Sequence, residues 1–427
     1  MFEVKEKPRL VERAFLLSCI LSEREREVAG SLLDELEELT MNLGIKVVGR
    51  KIIRIRKTSP RFILGKGKVD ELLNDLKVSN ADVLIFDNEI SPAQQRNWES
   101  ESKTLVIDRH EIILDVFAER AQTKEAKLQV KLARLEYSLP RLRRAWTHLS
   151  RQRGGGVTQR GEGEAQIELD QRMVRDQISA TRKEIVQVAK QRQTGRARRQ
   201  KLPLPTVAIV GYTNAGKSTL LNALTGANAL AEDKLFATLD PTSRRLKLPS
   251  GRIVVLTDTV GFIRKLPHRL VDSFKATLEE AIVSDVILHI VDFSNPQYEA
   301  QMITTDSVLT ELGAEDKQIL TVYNKMDRVD NDIEKLKACT IAQRAVFVSA
   351  QSGFGMGQLP EELERLFSGS EQPEKFLIPL DQYGLVARLK SQGGLNTEEI
   401  TDMGYEIEGK PRGDLIKALG KYSQKNG

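Results

Sequence analysis

Apolar residues change their spacing several times along this chain, and each change marks a new unit. Over residues 1–117, short apolar runs alternate with amphipathic stretches. Ala14–Leu21 is a short apolar run of the kind a buried strand shows. Glu23–Leu43 carries Val28, Leu32, Leu33, Leu36 and Leu39 at helical spacing and stops at Gly44. Ile45–Ile55 predicts a strand, Val69–Leu76 a short helix, Asp82–Phe86 a strand, and Thr104–Asp108 another. Between the last two, Ser91 and Pro92 open a helix, the Ser as cap and the Pro in the first turn. This rhythm predicts a small α/β domain with a mainly parallel sheet. Gly65-Lys66-Gly67 is read as a tight turn, because two glycines alone are weak evidence for a phosphate loop.

From Leu128 the period lengthens. Leu128, Leu132, Leu135, Leu139, Leu142, Trp146 and Leu149 step by fours and threes, a heptad seam that Pro140 should kink or split. Val174, Ile178, Thr181, Ile185 and Val188 resume the stepping after a glycine-rich break. Residues 118–200 are therefore expected to form an antiparallel helical hairpin with a Gly/Arg-rich tip. Residues 201–369 return to strand–helix alternation and predict a second α/β domain. After the linker signal Ser368–Pro373, residues 370–427 predict a small α+β appendage. Its expected strands are Leu377–Leu380, Leu385–Leu389 and Tyr405–Glu408, and its expected helix is Arg412–Leu419.

Five motifs in the second α/β domain carry chemistry. Gly211-Tyr212-Thr213-Asn214-Ala215-Gly216-Lys217-Ser218 has the form G-x-x-x-x-G-K-[ST] and lies between the strand pattern Pro205–Val210 and the helix pattern Ser218–Leu224. Its glycines let the backbone curl around an anion, and N–H groups at the helix start point at phosphates. Lys217 is expected to reach the β and γ oxygens and the Ser218 hydroxyl to bind Mg²⁺, with Thr219 beside it. Phe236-Ala237-Thr238-Leu239-Asp240 lies in a stretch long enough to switch. Thr238 is the first candidate, and Thr242 the second, to close onto Mg²⁺ and the γ-phosphate. Asp258-Thr259-Val260-Gly261 is a D-x-x-G element, with Asp258 acting on Mg²⁺ through water and the Gly261 amide meeting the γ-phosphate. Asn324-Lys325-Met326-Asp327 reads the base: Asp327 accepts from the guanine N1–H and 2-amino groups, which adenine lacks. The backbone of Ser349-Ala350-Gln351 meets the guanine O6.

All five stand in order at strand ends, where an open parallel sheet binds ligands. They predict a P-loop GTPase domain that binds GTP and GDP, with Lys217, Thr238 and Gly261 as the catalytic set. Phe262 occupies the position where many small GTPases carry a water-orienting Gln, so slow intrinsic turnover is expected. Asn214 is read two ways, as a holder of a monovalent cation such as K⁺ and as a simple loop cap.

Charge and composition narrow the partners. Net charge is +5, with 40% hydrophobic and 29% charged residues in 427, enough for several folded domains. From Tyr137 to Arg160 there are six arginines (Arg141, Arg143, Arg144, Arg151, Arg153, Arg160) and no acid, beside flexible glycines. Arg192, Arg196, Arg198, Arg199 and Lys201 form a second basic stretch at the hairpin base. Phosphate-backbone contact, sensitive to salt, is the reading for the tip. Aromatics at 5% argue against base stacking as the main mode. Cys19 and Cys339 lack C-x-x-C spacing and fit reduced thiols filling core space, and four scattered histidines give no zinc pattern. With no apolar run long enough to span a bilayer, a cytoplasmic monomer is expected.

The motifs Gly211–Ser218, Phe236–Thr242, Asp258–Leu266 and Asn324–Asp327, with the glycine-rich hairpin loop and Ala118–Val130, together resemble the HflX family of translation-factor-related GTPases. The likeness runs over roughly residues 10–370. Glu162 stands where the family's loop usually has Pro, which adds charge and flexibility at the tip. The resemblance implies a cytoplasmic GTPase that binds the large ribosomal subunit and its rRNA through the N-terminal domain and hairpin. It implies a role in ribosome splitting, rescue or biogenesis, with turnover stimulated by the ribosome. A signalling or membrane-linked GTPase whose hairpin binds a protein, and an RNA remodeller gated by nucleotide, are the competing readings. The basic tip and the lack of a lipidation motif speak against the former.

Overall fold

A computed structural model describes residues 11–142, 159–199, 204–226, 235–236, 241–265, 282–314, 316–329, 345–368, 374–391, 394–401, 404–409 and 414–423. The first sheet has four parallel strands, β1 (Arg13–Ile20), β2 (Lys46–Arg54), β3 (Val83–Phe86) and β4 (Leu105–Asp108), in the order β2-β1-β3-β4. The two central strands are buried almost end to end, as expected when helices cover both faces. Those helices are α1 (Arg26–Asn42), α2 (Lys66–Ser79), α3 (Pro92–Ser102) and α4 (Arg109–Arg120). Ser91 and Gln94 form a reciprocal capping box at the start of α3. Gly65–Gly67, expected as a turn, instead opens α2: Gly65 is its N-cap in extended conformation, and Val69, Leu72 and Leu76 bury one helical face. Cys19 is buried in this core, and burial pushes its thiol up to about 12; Cys339 lies outside the described residues.

Helix α4 runs without a break past residue 117, where a boundary was expected, and leads to α5 (Lys124–Leu142). The helix α6 (Gln159–Arg199) packs against α5, and Arg182 reaches Glu136 at 2.6 Å between them. On α6 the more buried positions among the described side chains are Asp170, Gln171, Val174, Ile178, Thr181, Ile185 and Val188, the heptad seam preceded by two polar residues. Pro140 neither splits nor ends α5, which continues to Leu142.

Asp108, at the end of β4, anchors α5 to the sheet domain. It caps α4 by accepting from the His110 and Glu111 amides at 3.0 and 3.3 Å, and it accepts from Tyr137 Oη at 3.0 Å. Arg141 also donates to Asp108 at 3.2 Å, to Gln95 Oε1 at 3.1 Å and to the Ile90 carbonyl at 3.3 Å, and lies 3.4 Å over the Tyr137 ring. This corrects one expectation: Arg141 is turned into the protein, because a buried carboxylate attracts it more than solvent does. Arg143, Arg144, Arg151 and Arg153 lie outside the described residues, as does the side chain of Arg160.

The second sheet has six strands in the order β10-β9-β8-β5-β7-β6: β5 (Thr206–Gly211), β6 (Thr242–Lys247), β7 (Ile253–Asp258), β8 (Val286–Asp292), β9 (Gln318–Asn324) and β10 (Ala345–Phe347). All pairs are parallel except β6 with β7. Its helices include α7 (Lys217–Thr225), α8 (Tyr298–Glu311) and α9 (Gln358–Ser368). The last sheet is antiparallel, β11 (Glu374–Ile378), β13 (Gly404–Gly409) and β12 (Leu395–Thr401) in that order. Residues Leu385–Leu389, expected as a strand, belong to helix α10 (Tyr383–Ser391). Val386 and Leu389, three apart, bury one face against Phe376 and Ile407, and a short apolar run does not reveal its period. The remaining helix, α11 (Asp414–Leu419), covers the same core.

The first two sheet domains are joined by one continuous apolar cluster with a polar network along its edge. The cluster includes Ile113 and Phe117 of α4 together with Leu235, Phe236, Phe262 and Ile263. At its edge Arg109, 1% exposed, donates to Glu35 at 2.5 Å and to Asp87 at 2.9 Å. Glu35 also accepts from Tyr212 Oη at 2.8 Å and from Arg264 at 3.0 Å, and Asp87 accepts from Lys265 at 2.5 Å. Buried carboxylates need their cations, so Arg109→Ala should lower stability by about 3–5 kcal/mol. Denaturant unfolding checks this; a loss under about 1 kcal/mol would show that the network is not desolvated as described.

Candidate functional site: a nucleotide-binding cradle braced by the N-terminal domain

The phosphate end of the site is built where β5 turns into α7. Gly211, at φ 149°, passes so close to β8 that a Cβ there would lie 2.2 Å from the Ile290 carbonyl oxygen. Gly216, at φ 90°, leaves no room either: its Cβ would lie 2.3 Å from Asn324 Nδ2. Only glycine fits both positions, and the loop between them runs straight into the start of α7, whose free N-terminal amides favour an anion. Asn214 takes a left-handed conformation at φ 60°. Lys217 is buried and donates from Nζ to the Tyr212 carbonyl at 2.8 Å. Burial lowers its pKa to about 8, against the pull of Asp258 and with a smaller push from Lys325. Ser218 donates to Asp258 at 2.6 Å, so hydroxyl and carboxylate stand side by side at the ends of α7 and β7. This is a hard-oxygen pair that suits Mg²⁺ together with phosphate oxygens. Among the described residues no group of three or more His, Cys, Asp and Glu would hold a metal by itself.

The segment after β7 lies against this loop. Thr213 donates its amide to the Phe262 carbonyl at 2.8 Å, and the Phe262 amide donates to the Gly211 carbonyl at 3.1 Å. Gly261 sits so near that a Cβ would be 2.8 Å from Lys217 Nζ and 2.9 Å from Thr213 Cα. Thr259 is fully buried and donates its hydroxyl to the Ile209 carbonyl at 2.8 Å, which makes it a brace for the strand end; Val260 is buried beside it. The Tyr212 side chain points away from the cradle into the domain interface, where Glu35 holds it.

The base end lies between β9 and β10. Asn324 donates to the Ala215 carbonyl at 2.9 Å and accepts from the Ala350 amide at 3.0 Å, so one amide ties the phosphate loop to the Ser349–Gln351 turn. Lys325, left-handed at φ 63°, is held by Asp292 at 2.8 Å. The Met326 amide donates to the Val348 carbonyl at 3.2 Å, and Ser349 Oγ donates to Asp327 at 2.5 Å. The structure therefore brings Gly211–Thr219, Asp258–Gly261, Asn324–Asp327 and Ser349–Gln351 to one edge of one sheet. Ala237, Thr238, Leu239 and Asp240 lie outside the described residues. Phe236 before them is buried against Phe117 at 4.4 Å between ring centroids, and Thr242 opens β6 opposite Asp258. Sequence reasoning missed Asp292, whose only signal was its place at the end of an apolar strand run, and Glu35, which carried none.

Comparison with known proteins agrees with this geometry. Residues 31–118 match a family described as GTP-binding GTPase N-terminal and residues 120–199 one described as GTP-binding GTPase Middle Region. Residues 206–325 match a family described as 50S ribosome-binding GTPase. GTPase HflX of Akkermansia muciniphila is 46% identical over 419 residues, covering 96% of each chain. The chain belongs to the HflX family of GTPases. GTPase HflX of Escherichia coli is 41% identical, covering 87% of each chain. A crystal structure of a GTP-binding protein from Sulfolobus solfataricus with GDP aligns over 84% of this chain and 99% of its own, at 24% identity and a TM-score of 0.43. By its family membership the protein is a GTPase that binds guanine nucleotide.

The state of Lys217 gives a test. A cation depressed to about 8 is partly neutral above that pH, and bound phosphates favour its charged form. GTP binding at pH 8.5 should take up protons, and at pH 7 it should not. Calorimetry in buffers of different ionisation enthalpy measures this directly; equal heats at pH 8.5 would show Lys217 already charged.

Proposed function

We propose that this HflX-family GTPase works on the large ribosomal subunit in the cytoplasm, as a monomer, using its GTP cycle to drive ribosome splitting, rescue or biogenesis. What carries the reading is the match of residues 206–325 to the 50S ribosome-binding GTPase family, in a chain whose helices α5 and α6 converge on an arginine-rich connection. Arg143, Arg144, Arg151, Arg153 and Arg160 are proposed to meet rRNA phosphates, a contact that needs shape and charge rather than base sequence. In the G domain Lys217 would neutralise the β and γ oxygens, the Gly261 amide would face the γ-phosphate, and Asp327 would select guanine. Ser218, Asp258 through water and Thr238 would hold Mg²⁺. When bound, the ion supplies charge neutralisation between the phosphates. The oxygen pair of Ser218 and Asp258 supports that assignment. Asn214, left-handed in the loop, is the proposed contact for a K⁺ ion, and turnover faster in K⁺ than in Na⁺ would be its sign.

Phe262 is 2% exposed and packed in the interdomain cluster, so it contributes packing where a Gln would orient water. Intrinsic turnover should be slow, and purified large subunits should raise it by at least about tenfold at low salt, less as salt rises. Normal GTP binding with no stimulation at either salt would remove the ribosomal reading. Asp327→Asn should weaken GTP by about 1.5–3 kcal/mol, the worth of a hydrogen bond to a charged group, and spare ATP. Unchanged discrimination between GTP and ATP would reject Asp327 as the base reader.

A further inference from the structure

We propose that Tyr212 is a positioning residue for GTP hydrolysis, and that Glu35 of the N-terminal domain holds it in place. The inference concerns the GTPase reaction itself and does not depend on the ribosomal reading. With Phe262 unable to polarise water, the backbone at 261–262 must carry much of the electrostatic work, and such work depends on where the amides are fixed. Two of the bonds fixing that segment run between backbones, Phe262 to Gly211 and Thr213 to Phe262. A third is made by a side chain: the Arg264 amide donates to Tyr212 Oη at 2.8 Å.

The direction of the Tyr212 hydroxyl is set from the other domain. Glu35 Oε2 lies 2.8 Å from Tyr212 Oη, and a carboxylate only accepts, so the phenol proton points at Glu35 and its lone pairs face Arg264. Glu35 is itself held by Arg109 at 2.5 Å and by Arg264 at 3.0–3.1 Å. The Arg264 guanidinium also donates to Ser31 Oγ at 2.8 Å, on the same helix as Glu35. A relay thus runs from α1 through Glu35 and Tyr212 to the backbone three residues beyond Gly261. Lys265, next in line, is left-handed at φ 56° and pinned to Asp87 at 2.5 Å, so the segment is held in a costly conformation by N-terminal-domain carboxylates. A phenylalanine at 212 would keep the ring's packing and lose both hydroxyl bonds.

The test is steady-state and single-turnover GTP hydrolysis by the full chain, with GDP affinity and thermal unfolding measured alongside. Tyr212→Phe should lower kcat about tenfold, while KM for GTP and GDP affinity stay within about twofold, since the lost bonds act on the segment near the γ-phosphate. Glu35→Gln should lower kcat in the same way, and the double variant should be no slower than the slower single one. If Glu35→Gln does not fold, Ser31→Ala replaces it, with a smaller fall in kcat that disappears in the Tyr212→Phe background. A Tyr212→Phe protein that melts lower but turns over at the wild-type rate would overturn the proposal and leave Tyr212 as interface packing. So would losses that multiply independently in the double variant.

Discussion

One buried carboxylate, Glu35, decides how the two halves of this molecule meet. It is 8% exposed and accepts from Arg109 of its own domain and from Tyr212 and Arg264 of the other. Burying it with its cations gains little over an apolar contact of equal size, because desolvation offsets most of the attraction. What it gains is specificity. An apolar interface tolerates sliding, whereas Glu35 is satisfied only when Tyr212 and Arg264 arrive together. The apolar cluster around Phe117, Phe236 and Phe262 supplies adhesion, and the polar network supplies register.

That register matters because of which G-domain segments it touches. Tyr212 is the second residue of the phosphate loop, Arg264 and Lys265 follow Asp258–Gly261, and Phe236 precedes the candidate switch threonine. Each segment proposed to face the γ-phosphate therefore also contacts the N-terminal domain. Phe262 belongs to the same economy of contacts. A Gln there would be a buried polar group in an apolar cluster, so the position serves the interface. A nucleotide that shifts Gly261 must then change the free energy of domain docking, and docking must change nucleotide preference by the same amount.

The cradle was legible in the sequence because its chemistry dictates residue types at fixed spacing. Gly211 and Gly216 have no room for a Cβ, Ser218 must carry a hydroxyl, and Asn324 must donate and accept at once. The N-terminal parallel sheet was legible from its alternating strand and helix patterns. The interface was not: Glu35 and Tyr212 lie 177 residues apart, and no periodicity links them. Local ambiguity explains the other departures. Leu385–Leu389 is too short a run to show its helical period, and Gly65–Gly67 reads as a turn because a helix can begin on an extended glycine. Arg141 looked like one of a basic run because its partner, Asp108, is 33 residues away.

Through these shared contacts the nucleotide cradle and the N-terminal domain should respond to nucleotide as one cooperative unit. Amide hydrogen exchange of the full chain, with and without a non-hydrolysable GTP analogue, reads that coupling. Nucleotide should slow exchange in residues 29–36 of α1 and 109–117 of α4 as well as in residues 211–218 and 258–265. Protection confined to the G domain, with α1 and α4 exchanging as in the nucleotide-free protein, would show two independent units.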